Sequence, residues 1–409
     1  MLGTRDWSRR TRSVSVLGAG LLLAGLASGT ATAQSSQDGP PHPESAVRLT
    51  WSSIANWVVD AGDTRVLVDA YYTRAAQPLE GQVSSPLFTG QGTLGLDYTT
   101  HPKPSDRDAV VRVLNALVYK NKKISYILTG HSNFDHSPDA PLLAKLTGAT
   151  IIGSQTTCYQ AYAEGIPASQ CLIVNGGEIL PLSKSLTVYV AHINHSGDTT
   201  TPDLHGAVEL TRIPNVRTQS PAGGLRWGIL EDMPNGGGGR AFLFKQEKSN
   251  GQSFTWTYQD TGSPTDFTEP IKVTDPQGRP LTTYKSSKEN LAAAMRAAGV
   301  PRVDLMIASP SSATLLSQEM DILHPRSFLP THWDGLWAPF FAGMPIPYCP
   351  SADVTELLAA NNVSTSHPRQ YMDRWRLTEW GVDRIENHAV KRELGFSDVQ
   401  HFTNEQKCK

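Results

Sequence analysis

The first half of the chain alternates short apolar runs with turn residues. Arg48-Leu49-Thr50-Trp51 and Trp57-Val58-Val59-Asp60 read as strands, and Gly62-Asp63 turns the chain into a third run, Thr64 to Asp69. Short β runs joined by glycine-containing turns predict consecutive antiparallel strands. From Ser105 to Tyr119 the period changes. Val110, Val111, Val113, Leu114, Leu117 and Val118 fall on one face at helical spacing. Ile124 to Thr129 then reads as a short buried strand, Pro141 to Thr147 as a helix, and Thr150 to Gly153 as the next strand. Strand, loop, helix, strand is an α/β order.

The pattern continues with a strand at Leu186 to Ala191, running into His192 and His195. Arg226 to Leu230 and Ala241 to Phe244 read as two strands flanking a hairpin loop at Gly236 to Gly239. That glycine run lacks the following Lys-Ser/Thr and helix of a phosphate cradle. Phe254 to Tyr258 is a strand ending at Asp260, residues 288–298 form a helix, and Val303 to Ile307 and Ser327 to Pro330 lead toward His332. One domain is expected over residues 47–409, with irregular insertions near 75–105 and 197–256.

The N-terminus does not fit this pattern. Arg9 and Arg10 precede a mostly apolar stretch from Val14 to Leu26, and Ala31-Thr32-Ala33 follows. This order reads as an export signal over residues 1–33, with the paired arginines suggesting the twin-arginine route. The apolar stretch is short for a bilayer span. Residues 34–46 are rich in Ser, Pro and Gly and read as a linker. The expected product is exported, periplasmic or extracellular, without stable membrane insertion after cleavage.

Charge narrows the partners. The whole chain carries 36 basic and 38 acidic residues. Cleavage after Ala33 leaves a net charge of about −5, and no basic stripe invites nucleic acid. A small-molecule substrate is the expected partner. Four cysteines, Cys158, Cys171, Cys349 and Cys408, allow two disulfides in an oxidising compartment. Cys158 with Cys171 is the favoured pair because they are close in sequence. No CxxC spacing points to a cysteine zinc site.

The chemistry lies at strand ends. Four apolar strands each run into a loop carrying His or Asp: His131, Asp135 and His136; His192 and His195; Asp260; and His332. Imidazoles and carboxylates gathered at one sheet edge are ligands for zinc, iron or manganese.

This arrangement resembles the metallo-β-lactamase superfamily, whose signature is His-x-His-x-Asp-His followed by a distant His, Asp and His. His131-Ser132-Asn133-Phe134-Asp135-His136 is similar to the hexad, and Leu67-Val68-Asp69 to the early strand ending in Asp. Gly148 to Gly153 is similar to the segment after the motif helix, Tyr258-Gln259-Asp260-Thr261-Gly262 to the Asp element, and Leu329-Pro330-Thr331-His332 to the closing His element. The nearest branch resembles the broad group of hydrolases like ascorbate-6-phosphate lactonase. The resemblance implies an αββα sandwich and a metal-dependent hydrolase in which a metal activates water to hydroxide. The expected substrate is a small ester, lactone or phosphodiester. It implies one metal site from His131, Asn133 and His195, another from Asp135, His136 and His332, and Asp260 bridging them. Asp135 or Asp260 would orient the attacking water and accept its proton.

Asn133 departs from this pattern by standing where the family has its second histidine. An amide oxygen is a weaker zinc ligand than imidazole, so the site is expected to hold one tight zinc, with two ions, iron or manganese as alternatives. Whether His192 or His195 is the ligand stays open at this level. So does a member that binds metal or ligand but has lost hydrolysis. Asp139 is expected beside the motif or at a helix start, and Trp333, Trp337, Phe340 and Phe341 in an apolar pocket or the core.

Overall fold

The computed structural model describes residues 46–74, 105–117, 122–133, 135–195, 208–213, 236–261, 267–275, 277–310, 312–335 and 338–403. The expected signal, nearly all of the linker, the loop at 75–104, the strand at 226–230 and Trp337 lie outside these residues.

The chain opens with a meander, β1 (Val47–Ser53), β2 (Asn56–Ala61) and β3 (Thr64–Val68). Helix α1 (Arg107–Leu117), β4 (Tyr126–Leu128), α2 (Ala140–Thr147), β5 (Thr150–Gly153), α3 (Gln155–Ala163) and β6 (Cys171–Ile173) follow. Next come β7 (Ile179–Pro181), β8 (Leu186–Ile193), β9 (Gly239–Glu247) and β10 (Ser253–Gln259). A hairpin of β11 (Pro270–Thr274) and β12 (Pro280–Ser286) precedes α4 (Ser287–Ala298), β13 (Leu305–Ala308), α5 (Ala313–Leu323) and β14 (Ser327–Pro330). The chain continues through α6 (Ala352–Ala360), β15 (Ser364–Thr365), β16 (Asp373–Thr378), β17 (Gly381–Ile385) and α7 (His388–Leu394).

Among the described residues these strands form two large sheets. One has the order β17-β16-β1-β2-β3-β4-β5-β6 and the other β15-β14-β13-β10-β9-β8-β7. Alternation within strands shows how they pack. Phe242 and Phe244 join the core that contains the first sheet, while Ala241 and Leu243 pack against α4 and α5. Trp256 stacks on Phe244 with ring centroids 4.9 Å apart, and full burial of each such side chain contributes about 2–3 kcal/mol. The first sheet carries α1, α2, α3 and α7 in the same core. The result is the expected αββα sandwich.

Directions decide where the chemistry gathers. β3 runs parallel to β4, and β4 to β5. β8 and β10 are both antiparallel to β9, and β10, β13 and β14 are mutually parallel. The carboxyl ends of β3, β4, β8, β10 and β14 therefore open on one edge of the sandwich, the usual place for ligands in α/β sheets.

The strand expected at 226–230, and with it the hairpin across Gly236–Gly239, lies outside the described residues. Both edges of β9 are occupied, with Phe242 opposite Val190 on one side and Tyr258 on the other. The strand expected at Ala241–Phe244 lies within the nine-residue β9. A disulfide joins Cys158 of α3 to Cys171 of β6, as expected.

Candidate metal centre

The motif loop begins where β4 ends and is held from several sides. Gly130 donates its N–H to Asp69 Oδ1 at 2.8 Å and accepts from Arg240 N–H at 2.7 Å. Ser132 N–H reaches Gly236 O at 2.8 Å, and the Ser132 hydroxyl lies 2.6 Å from Thr157 Oγ1 on α3. Buried Arg240 gathers the glycine run by donating to Gly237 O and Gly238 O, each at 3.0 Å. Gly238 has φ +71°, and a Cβ there would stand 2.6 Å from His192 Nε2, so only glycine fits. Asp69 and His332, which follow β3 and β14, also have left-handed φ of 55° and 56°. Such conformations at strand ends aim side chains into the site at a cost of about 1–3 kcal/mol each.

Asp135, His136 and His332 form a compact triangle. His332 Nε2 is 2.9 Å from Asp135 Oδ2 and 3.1 Å from His136 Nε2, and His136 Nε2 is 3.2 Å from Asp135 Oδ2. Beside it, His131 Nε2 and His195 Nε2 are 3.1 Å apart, with Asn133 Nδ2 3.3 Å from His195 Nε2. All six of these side chains come together from three separate loops, as the sequence pattern anticipated.

Asp260 sits differently from its expected bridging position. It approaches the Nδ1 edges of both motif histidines, at 2.9 Å from His136 and 3.6 Å from His131. Their Nε2 atoms face the other partners. The cause is local. Tyr258 hydroxyl lies 2.7 Å from Asp260 Oδ2, and the absent Cβ of Gly130 leaves a space in which both carboxylate oxygens sit, 2.5 Å from where that Cβ would be. Asp260 still belongs to the cluster, since His131, His136 and Asp260 bring donor atoms within 4.8 Å of one another.

His192 faces away from the cluster. Its Nδ1 lies 2.8 Å from Asn175 O and its ring packs 4.1 Å from Tyr284. Burial and the nearby Arg240 push its pKa well down, so it is a neutral, backbone-bonded core histidine. Asp139 stands at the start of α2, one of its two expected places, but its side chain makes no capping hydrogen bond there. Its Oδ2 accepts from Tyr72 and Thr73 N–H, each at 2.7 Å, and pins the segment after Asp69. Trp333 and Phe340 belong to the core, and Phe341 packs against it.

The residues least visible in sequence lie beneath the histidines. Tyr258 Oη is 2.5 Å from Asp69 Oδ2, and Asp69 Oδ2 is 2.9 Å from His136 Nδ1. Three buried carboxylates thus surround one imidazole. Burial opposes a charge on His136, but Asp135, Asp260 and Asp69 together raise its pKa well above the usual value. Burial raises Asp69, and the neighbouring Asp260 raises it further. Burial opposes the charge on Asp260 and Asp135 too, yet His136 holds both well below the usual carboxylate range. Burial and the charge on His136 push His131 down to about 4, so it presents a free nitrogen at neutral pH. A strand alternation argument could have found Tyr258, which shares a strand face with Asp260.

The donor set fits a divalent cation. Tetrahedral zinc, with bonds of about 2.0–2.1 Å, spaces its ligand atoms by about 3.3 Å, close to the observed triangle. Asn133 Oδ1 is buried without a hydrogen-bond partner, which is costly unless something else satisfies it.

No family model matches the chain. Over 156 residues it is 34% identical to a UPF0173 metal-dependent hydrolase of Pyrobaculum islandicum, covering 38% of this chain and 54% of that protein. A UPF0173 metal-dependent hydrolase of Pyrobaculum arsenaticum matches over the same length and the same shares at 24% identity. The chain thus has homologues among these hydrolases, and it spans about half the length of the curated relatives it matches. Among solved structures, Igni18, a metallo hydrolase from Ignicoccus hospitalis, aligns at 12% identity and a TM-score of 0.43, covering 81% of this chain and 99% of its own. The metallo-beta-lactamase fold protein YhfI from Bacillus subtilis aligns at 9% identity and a TM-score of 0.39, covering 81% and 99%.

Proposed function

We propose that this chain is an exported metal-dependent hydrolase acting on a small ester, lactone or phosphodiester. The observation that carries the reading is the triangle of Asp135, His136 and His332 described above. The homology with proteins named metal-dependent hydrolases supports it.

The two donor sets are unequal. Asp135, His136 and His332 include a carboxylate and lie beside Asp69 and Asp260, whereas His131, Asn133 and His195 contain no carboxylate. A cation is favoured at the first set, and the second binds more weakly through its amide. Rotating the Asn133 amide presents Oδ1 in place of Nδ2. We assign one tight metal, zinc by its ligands, with iron or manganese as competitors. When bound, such a metal supplies Lewis acidity and activates water for attack.

The side chains have separable tasks. Asp69 and Asp260 accept from His136 Nδ1 and so direct its Nε2 outward. His332 is the partly exposed member of the triangle, with 14% of its side chain accessible, and marks the side from which a substrate enters. Asp135 supplies one carboxylate oxygen to the triangle, and its second oxygen would be the one to take the proton of the attacking water.

Metal content tests the reading. Purification under metal-replete conditions should give about one metal per chain, and less than about 0.3 would count heavily against an enzyme and favour a member without hydrolysis. A screen of lactone, phosphodiester and β-lactam substrates then assigns the class. Export rests on the Arg9-Arg10 and Val14–Leu26 pattern, and the Cys158–Cys171 disulfide suits an oxidising compartment. Normal export of a variant carrying both Arg9→Lys and Arg10→Lys would speak against the twin-arginine route.

A further inference from the structure

Arg74 is the one buried arginine among the described residues whose Nε, Nη1 and Nη2 all lack a hydrogen-bond partner. It is only 5% exposed. Two comparably buried arginines are saturated. Arg65 is paired through Nε and Nη2 with both oxygens of Asp60, and Arg240 bonds to the glycine-run carbonyls and to Glu209. A guanidinium taken out of water without a partner costs several kcal/mol, so Arg74 calls for an acceptor.

Its place in the fold says where that acceptor belongs. Arg74 ends the segment that starts at Asp69, and the segment is rigidly tied. Ala70 donates its N–H to His136 O at 2.6 Å, and Tyr72 and Thr73 are held by Asp139. The guanidinium lies 4.6 Å from the Tyr71 ring centroid and 5.8 Å from that of Phe340. Contact with ring faces holds the fork while leaving its N–H edges free. Across from it is the segment after His332. Trp333 Nε1 and Asp334 Oδ1 are also buried without partners, while Tyr371 hydroxyl donates to Asp334 Oδ2 at 2.6 Å. Burial raises the Asp334 pKa and Arg74 is the strongest charge opposing that rise, ahead of His332, yet the two form no ion pair. The unpartnered groups on these two segments are mainly donors.

We propose that Arg74 recognises an oxyanion, a carboxylate or phosphoryl group on the non-reacting end of the ligand, and holds it beside the His332 edge of the metal centre. The planar fork favours bidentate binding of such a group. The proposal rests on the neighbouring cluster being the reaction centre, but the anion site itself does not require metal.

Titration calorimetry on the full chain stripped of metal by chelation tests it, with inorganic phosphate and acetate as probes. Wild type should bind one equivalent of at least one probe. Arg74→Met should weaken that binding by at least about tenfold, and Arg74→Lys, which keeps the charge but loses the fork, should weaken it less. Preference for phosphate identifies a phosphoryl ligand, and preference for acetate a carboxylate. Metal content should be the same in all three proteins. Absence of saturable binding by wild type overturns the proposal, whether or not Arg74→Met folds. Unchanged binding in both variants also overturns it and assigns the Arg74 nitrogens to internal water. Failure of the metal reading would appear separately, as low metal content in wild type.

Discussion

Tyr258 and Asp69 meet between the two sheets, with the Tyr258 hydroxyl 2.5 Å from Asp69 Oδ2. The same hydroxyl lies 2.7 Å from Asp260 Oδ2 and 2.8 Å from Ala55 O. One phenol therefore fixes both carboxylates that orient His136. Tyr258→Phe should leave the fold intact and weaken metal binding about 10- to 100-fold, the usual cost of losing an outer partner of a ligand. Competition with a chromogenic chelator measures this, and an unchanged affinity would remove Tyr258 from the site.

Gly130 should be irreplaceable for a related reason. Its φ is not left-handed, but a Cβ would lie 2.5 Å from both Asp260 oxygens. Gly130→Ala should displace Asp260 and lower bound metal while far-UV circular dichroism stays native. Full metal content in that variant would show that Asp260 tolerates movement.

The histidines after β8 should separate cleanly. His195→Ala should reduce metal content or affinity, whereas His192→Ala should keep the metal and lose stability, because it leaves Asn175 O and the space beside Tyr284 unfilled. A loss of about 1–3 kcal/mol is expected for the second, read from denaturant midpoints. Asp135→Ala should abolish turnover, and retained turnover would refute its assigned role.

Metal affinity should fall as the solution becomes more acidic. His136 has a raised pKa because Asp135, Asp260 and Asp69 surround it against the opposing effect of burial. A cation must displace its proton, so affinity rises with pH across the neutral range. Metal titrations at pH 6 and pH 8 check this, and equal affinities would mean that His136 is already unprotonated.

Glu319 gives a stability test away from the metal. Burial raises its pKa to about 7, against a smaller opposing effect of Gln259. A carboxyl whose pKa is higher when folded binds more protons in the folded state. Its stabilising contribution is therefore full below the unfolded pKa of about 4.5 and is lost as pH rises through about 7. The span corresponds to about 3 kcal/mol. Glu319→Gln should flatten the pH dependence of the urea midpoint between these values, and an unaltered slope would place its titration elsewhere.

Parts of this protein are written locally. Alternation in β1, β2 and β3 and the helical spacing of α1 identify those elements, because side-chain period follows backbone geometry. The strand-end positions of His131, Asp135, His136 and His332 could be read in the same way. The pairing of β1 with β16 could not. Arg48 lies opposite Arg376, and no short-range pattern joins residues so distant in the chain. The pairing of β9 with β8 shows the same limit, since Phe242 lies opposite Val190 across a long stretch of chain.

The sequence by itself determined which chemical groups reach the open edge of the sandwich, since a strand followed by a polar loop delivers its next side chains there. Only the tertiary structure decided how those groups face one another. It turned His192 toward Asn175 and His195 toward His131, although the two histidines lie three positions apart on one segment. It also placed Asp260 at the Nδ1 edges through Gly130 and Tyr258, and left Arg74 buried without a partner. The physical reason is that ring orientation and hydrogen-bond satisfaction depend on contacts from strands and loops far apart in the chain, and local residue order does not encode them.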